Sequence, residues 1–311
     1  MTKTVVATGY GGPEKLAVQD IVLPEPGQGQ VLIDVKAAGT NPIDYKLYSG
    51  YMGDDPAALP MPVGMEAAGV VAAVGPGDTV GYTGALQVGD EVIATNIRAG
   101  YAEQVLVDAA EVGHKPAALS FEQAAGLLLV AETAWHLLVK TRVGTGDTVL
   151  IHGGAGGVGL MAVQLAVARG ATVIATASPK NHEQLRKYHA QPVAYGPGLA
   201  DRVRGIGPVT AALDLVGSDE ALDTSVELVA DKSRIATIAG FARAAELGIQ
   251  ALTGADGGQE IRDASRAELL TLAAAGELSV IVDKVFPLEA AADAHRYLQT
   301  GHAQGKVVLV P

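Results

Sequence analysis

The most constraining feature of this sequence is one run near its middle. Thr148-Val-Leu-Ile-His152 leads directly into Gly154-Ala-Gly-Gly-Val-Gly159. A short run rich in branched residues reads as a strand. The segment after it, Gly157 to Arg169, is apolar and stops at Gly170, so it reads as a helix. The glycines at 154, 156 and 159 therefore place G-x-G-x-x-G at a strand-to-helix turn. In a chain with 39 glycines that spacing alone is weak, and a structural turn would explain it. The two flanks make it specific. Such a turn brings the backbone close to a pyrophosphate, and the helix end offers N–H groups and a positive dipole.

The rhythm around this run agrees. Thr172 to Thr176, Pro192 to Tyr195, Ala211 to Val216 and Arg234 to Ala239 read as further strands, and His182 to His189 as a helix. Alternation of this kind predicts a doubly wound parallel sheet. Before it, Ser120-Phe-Glu-Gln123 has the form of a capping box and opens an apolar segment to about Thr141. The first part, to about residue 118, is different. Its short branched runs, Gln30 to Lys36 and Ala68 to Val74, are punctuated by Gly and Pro and read as irregular β structure. The tail from about Leu278 returns to β-like text and ends in Gly305-Lys-Val-Val-Leu-Val310. It is placed with the first part, because chain ends often lie close together.

Composition narrows the partners. A formal net charge of -12 disfavours nucleic acid and acidic membrane surfaces. It leaves room for a phosphate-bearing cofactor held locally by N–H groups and a few basic side chains. There is no cysteine, which excludes disulfides, thiolate nucleophiles and Cys-based metal sites. The N-terminus shows no long apolar h-region, and the most apolar stretch, Ala124 to Val130, is too short to span a bilayer. A cytoplasmic protein acting on a small molecule is expected.

The end of the second strand selects the cofactor. NAD sites place Asp or Glu there to bind the ribose 2′-OH. Ala175-Thr-Ala-Ser-Pro-Lys-Asn-His182 has no carboxylate. Ser178 and Lys180 instead offer a donor and a positive charge suited to a 2′-phosphate, although a solvated loop with a stray lysine would read the same way. NADPH is the expected cofactor.

Taken in order, several motifs resemble the quinone oxidoreductase branch of the medium-chain dehydrogenase/reductase superfamily. They are Gly39-Thr-Asn-Pro-Ile-Asp44, Pro62-Val-Gly-Met-Glu-Ala-Ala-Gly69, Val88-Gly-Asp-Glu-Val92, Gly100-Tyr-Ala-Glu103, the glycine loop, Val163-Gln-Leu-Ala166 and the closing Gly305-Lys-Val-Val-Leu309. The resemblance implies an α/β protein with a GroES-like β domain (1–118 and 279–311), a Rossmann domain (119–278), the cofactor in the cleft between them, and a homodimer. It implies that Asn41, Thr133 and Gly154, Ala155, Gly156, Gly157, Val158 and Gly159 contact NADPH. Ala177, Ser178, Lys180 and Tyr195 match positions near the 2′-phosphate, and Val216, Gly240 and Phe241 the nicotinamide side. Thr133-Ala-Trp135 departs from the family's turn, and residues 245–262 match poorly.

Zinc-dependent relatives use a Cys near Asn41 and a His in a GHE motif, which here reads Gly64-Met65-Glu66. The lobe for a structural zinc is missing too, so a metal-free site is expected. Of the histidines, His182 and His189 read as surface residues, and His295 and His302 as part of a polar tail. Without a Lewis acid an unactivated alcohol is a difficult substrate. Hydride delivery to an enone or quinone is easier, because the charge moves to a distant oxygen that a donor or water protonates. Asn41, Tyr45 and Tyr51 are the candidates to polarise that oxygen. Asp44 reads equally as a buried structural acid. Two alternatives stand beside a quinone or enone reductase: an enoyl-thioester reductase, and a non-catalytic NADPH-binding structural or sensor protein.

Overall fold

In the computed structural model, which describes residues 1–255 and 257–311, the strand Thr148–His152 lies inside a six-stranded, all-parallel sheet. Its neighbours are Thr172–Thr176 on one side and Ala211–Asp214 on the other. Gln191–Val193 extends one edge, and Ile235–Thr237 then Gln250–Ala251 the other. Within this sheet the sequence order is therefore 3-2-1-4-5-6. Short, almost wholly apolar strands are what a sheet covered on both faces requires. The helix Gly157–Ala168 meets that need: Gly159 through Ala166 are all buried, and Gln164 is the one polar side chain among them.

The chain divides into two compact units. This parallel sheet belongs to the unit formed by Val130–Leu269 and Glu277–Ser279. The other unit comprises Met1–Leu129, Leu270–Gly276 and Val280–Pro311. The division falls after Leu129 rather than at residue 118. The apolar segment that opens at Ser120 is broken at Gly126 into two helices, Phe121–Ala125 and Leu128–Lys140. The first of these packs on the strands Gln30–Thr40 and Glu66–Val74 and so joins the β unit. Its capping box is formed: Gln123 N–H donates to Ser120 Oγ at 3.2 Å and Ser120 N–H to Gln123 Oε1 at 3.0 Å.

The β unit is built on the long strand Gln30–Thr40. It pairs antiparallel with Glu66–Val74 along one edge. Its other edge takes Gln104–Asp108 first and Lys306–Val310 beyond it. Register shifts near Leu32 and Val35 bend the strand, as bulges do, so that one edge serves two partners. The tail strand thus enters the sheet between Gln30–Thr40 and Val282–Pro287. Alternate residues Val31, Ile33 and Val35 point into a core shared with Val92, Val105 and Leu309. The tail also contains a helix, Ala291–Gln299, where β-like text is expected.

Candidate functional site

The strand order of the parallel sheet reverses between Thr148–His152 and Ala211–Asp214. Crevices outside the carboxyl ends of strands at such a reversal are where open α/β sheets take ligands. The glycine loop lies there. Gly153 N–H donates to Thr176 Oγ1 at 3.1 Å and Gly154 N–H to the Thr176 carbonyl at 2.9 Å, so the second strand holds the loop. The three motif glycines then divide their work. A Cβ on Gly154 would lie 2.7 Å from the Ala175 Cβ, and one on Gly159 only 2.2 Å from the Gly153 carbonyl oxygen. Both are packing glycines. A Cβ on Gly156 would meet nothing nearer than that same oxygen, at 3.6 Å.

Gly156 is the N-cap of the helix Gly157–Ala168 and has no capping side chain. The first helical bond is Leu160 N–H to the Gly156 carbonyl. The N–H groups of Ala155, Gly157 and Val158 have no protein acceptor among the described residues. The loop therefore presents unpaired donors beside open space, the arrangement a pyrophosphate needs.

Buried Asp214 organises the neighbouring loops. Its Oδ1 accepts from Val216 N–H at 3.0 Å and Gly217 N–H at 2.9 Å, and its Oδ2 from the Thr237 hydroxyl at 2.5 Å. Thr237 Oγ1 in turn accepts from Gly240 N–H at 2.9 Å. Val216 is 54% exposed, whereas Gly240 is buried and Phe241 half-buried. Behind this rim, His152 Nε2 lies 3.1 Å from Ser225 Oγ, and burial pushes its pKa down to about 4. On the other flank Ala177 is buried, Ser178 half-buried and Lys180 exposed. Tyr195 is exposed, and Thr133 is buried in the helix Leu128–Lys140.

The other candidates fall in the β unit. Asn41 caps the helix Pro42–Tyr48, and its N–H donates to Asp44 Oδ2 at 2.8 Å. Its side chain is buried and largely committed. Nδ2 donates to Glu66 Oε1 at 2.9 Å, and Oδ1 accepts from the Lys306 ammonium at 2.6 Å. Tyr45 is half-buried, and that burial raises its pKa. Tyr51 is 66% exposed, with the Lys46 ammonium 5.9 Å from its ring centre. These three do not share one hydrogen-bond network: Asn41 joins the buried hydrogen-bonded group, while the Tyr45 ring packs edge-on against His295 at 6.2 Å between centroids.

That buried group includes residues the sequence did not single out. Tyr101 donates its hydroxyl hydrogen to Asp44 Oδ2 at 2.8 Å. Its oxygen must then accept from His295 Nε2–H at 3.0 Å, which leaves Nδ1 to accept from Tyr48 at 2.7 Å. The expected polar tail is thus corrected. His295 is fully buried, because Ala291, Ala294 and His295 share the inner face of their helix. His189 is exposed as expected, while half-buried His182 lies 3.1 Å from the Ala177 carbonyl oxygen. Burial pushes Asp44 up to about 7 and His295 down to about 4. Within residues 245–262, helix Phe241–Leu247 is followed by strand Gln250–Ala251 and helix Gly258–Ala274; Asp256 lies outside the described residues.

These shifts set an acid response. His295, His152 and His136 are each pushed to about 4 by burial. Below the ordinary value of 6.5 the unfolded chain takes up protons that the folded chain refuses, so stability falls as pH drops from 6.5 toward 4. Asp44 acts in the opposite sense, since its raised pKa lets the folded state hold a proton that the unfolded state releases. Three groups outweigh one. The denaturation midpoint should therefore fall across this window, and Asp44→Asn should steepen the fall. An unchanged slope in that variant would mean Asp44 does not titrate there.

Residues 27–127 match the alcohol dehydrogenase GroES-like domain family, and residues 181–309 the family described as zinc-binding dehydrogenase. The chain is 32% identical to the synaptic vesicle membrane protein VAT-1 homolog of Rattus norvegicus, over 99% of this chain and 84% of that protein. It is also 32% identical to the chloroplastic NADPH-dependent alkenal/one oxidoreductase of Arabidopsis thaliana, over 99% and 79%. Among solved structures, Escherichia coli quinone oxidoreductase complexed with NADPH superposes with a TM-score of 0.86 at 28% identity, covering 100% of both chains.

Proposed function

Because the chain belongs to the medium-chain dehydrogenase/reductase superfamily, we propose that it is a zinc-independent oxidoreductase that uses NADPH to reduce a quinone or an α,β-unsaturated carbonyl. The observation that carries this reading is the glycine loop: unpaired N–H donors beside a glycine whose missing side chain leaves open space. Ala155, Gly157 and Val158 would hold the pyrophosphate. Ser178 and Lys180, with no carboxylate beside them, would hold the 2′-phosphate, with Ala177 and Tyr195 flanking it. Val216, Gly240 and Phe241 would line the nicotinamide half, and Asn41 and Thr133 would also touch NADPH. When bound, NADPH supplies the hydride.

Zinc does not fit the residues present. The chain has no thiol, and Met65 precedes Glu66 where a metal site would need an imidazole. Glu66 is already spent, one oxygen on Lys306 and Asn41 and the other on Leu129 N–H. The chain's own contribution to chemistry is then a hydrogen bond to the oxygen that gains charge. Asn41 Nδ2, which gives one N–H to Glu66, would give its other to this oxygen. Tyr45, whose raised pKa keeps its hydroxyl protonated, and Tyr51 are the other donors. The superfamily also carries a homodimer into this reading, and the cysteine-free composition a cytoplasmic location. Scattering mass in solution should correspond to two chains.

The reading is tested by following NADPH absorbance with a quinone and with an enone. Oxidation with neither would leave a nucleotide-binding protein without this activity. Cofactor choice follows from the second strand. NADPH should bind several-fold more tightly than NADH, and Ser178→Asp should invert that order by placing a carboxylate where the 2′-phosphate would sit. Equal affinities in the unmodified protein would remove the argument.

A further inference from the structure

We propose that Lys306 is a positioning residue for the reduction: its buried ammonium fixes the Asn41 side-chain amide in one orientation and polarises it. This rests on the reading above, in which Asn41 works at the reacting oxygen. Lys306 opens the tail strand, and only 3% of its side chain is exposed. An ammonium in a core is strongly destabilising unless every donor is satisfied. Here all three are: the Thr40 carbonyl at 3.1 Å, Asn41 Oδ1 at 2.6 Å and Glu66 Oε1 at 2.7 Å.

The fold makes room for this centre. A Cβ on Gly39 would lie 2.4 Å from Glu66 Oε1, and one on Gly126 would lie 3.0 Å from Lys306 Cγ. Both the strand and the turn between the two helices therefore give up a side chain beside the ion pair. Stability alone does not explain such a pair, since well-packed apolar replacements are often as stable or more so.

What the pair determines is the direction of an amide. Turning Asn41 over would set its NH2 against the ammonium and its carbonyl against the Glu66 carboxylate. Both contacts would become repulsive. The ammonium on Oδ1 also draws density from the amide, which strengthens Nδ2–H as a donor. Lys306 thus prepares a polarised N–H on a residue it need not share with the substrate.

Lys306→Met alone would strand a buried carboxylate and could fail to fold, so the test uses the charge-balanced pair Lys306→Met with Glu66→Gln. NADPH affinity, kcat and KM for an enone, and the Asn41 side-chain amide resonance of the ligand-free protein are measured. The folded double variant should bind NADPH within about threefold of the parent while kcat falls about tenfold or more. Adding Asn41→Ala should lower kcat no further, because the two act through one group. The Asn41 resonance should shift upfield and exchange faster. A folded double variant with parental kcat, kcat losses that multiply with Asn41→Ala, or an unmoved resonance would each overturn the proposal. If Asn41→Ala is impaired and the double variant is not, Lys306 is only structural and the reductase reading stands. If the parent reduces neither quinone nor enone, that reading falls, and the resonance alone decides whether Lys306 orients the amide.

Discussion

Gly156→Val should yield a folded protein whose NADPH affinity has dropped at least about a hundredfold, which is close to 3 kcal/mol of binding. The expectation comes from the difference between the loop's glycines. At Gly159 an added Cβ would sit 2.2 Å from the Gly153 carbonyl oxygen, so a side chain there damages the protein itself. At Gly156 the backbone has φ -77 and ψ 174, which valine adopts readily, and the nearest protein atom is 3.6 Å away. Valine is a poorer N-cap than glycine, a modest cost in helix stability. Its branches nevertheless fill the volume in which backbone and pyrophosphate would meet. Circular dichroism and a fluorescence titration with NADPH separate the two effects. A folded Gly156→Val protein with unchanged affinity would place the cofactor elsewhere.

Asn41→Ala should reduce turnover of a conjugated acceptor by about a hundredfold, the usual scale for losing one oxyanion hydrogen bond, and by more than it weakens NADPH binding. Asn41 is buried, at 1% exposure, so a hydrogen bond from it to the reacting oxygen would be worth more than one at the surface. The same chemistry demands conjugation. An enone or quinone should react, and a saturated ketone of similar size should not, because a site without zinc would leave an isolated carbonyl unpolarised. If only cofactor affinity were lost, Asn41 would be a ribose or nicotinamide clamp, and the donor would be Tyr45, Tyr51 or water. Faster reaction of saturated ketones would end the conjugate-reduction hypothesis.

Strands buried on both faces leave a plain trace in sequence. Thr148–His152 and Thr172–Thr176 are found to the residue, because an uninterrupted apolar run has little other use. The shorter strands shrink on inspection, from Arg234 to Ala239 down to Ile235–Thr237, since turn residues beside them look equally apolar. The helix Gly258–Ala274 is polar over much of its surface, so its period is faint in the sequence. His295 was legible in principle. Ala291, Ala294, His295 and Leu298 recur at helical spacing between Asp293, Arg296 and Gln299, which marks an inner face. The Lys306–Glu66 pair was not legible. Its members are 240 positions apart, and only the antiparallel register of Val308 against Gly39 brings them together.

That register has a consequence for how the protein is made. Thr40 meets Lys306 across 266 residues. At about 5–20 residues per second, a ribosome needs roughly 15 to 50 seconds to deliver the tail strand to its partner. Until then the far end of Gln30–Thr40 is an unpaired edge, open to the wrong neighbour. The parallel sheet has no such wait, because its six strands lie between Thr148 and Ala251. Synthesis should therefore leave a β unit whose first strands precede the parallel sheet but whose pairing closes after that sheet is complete.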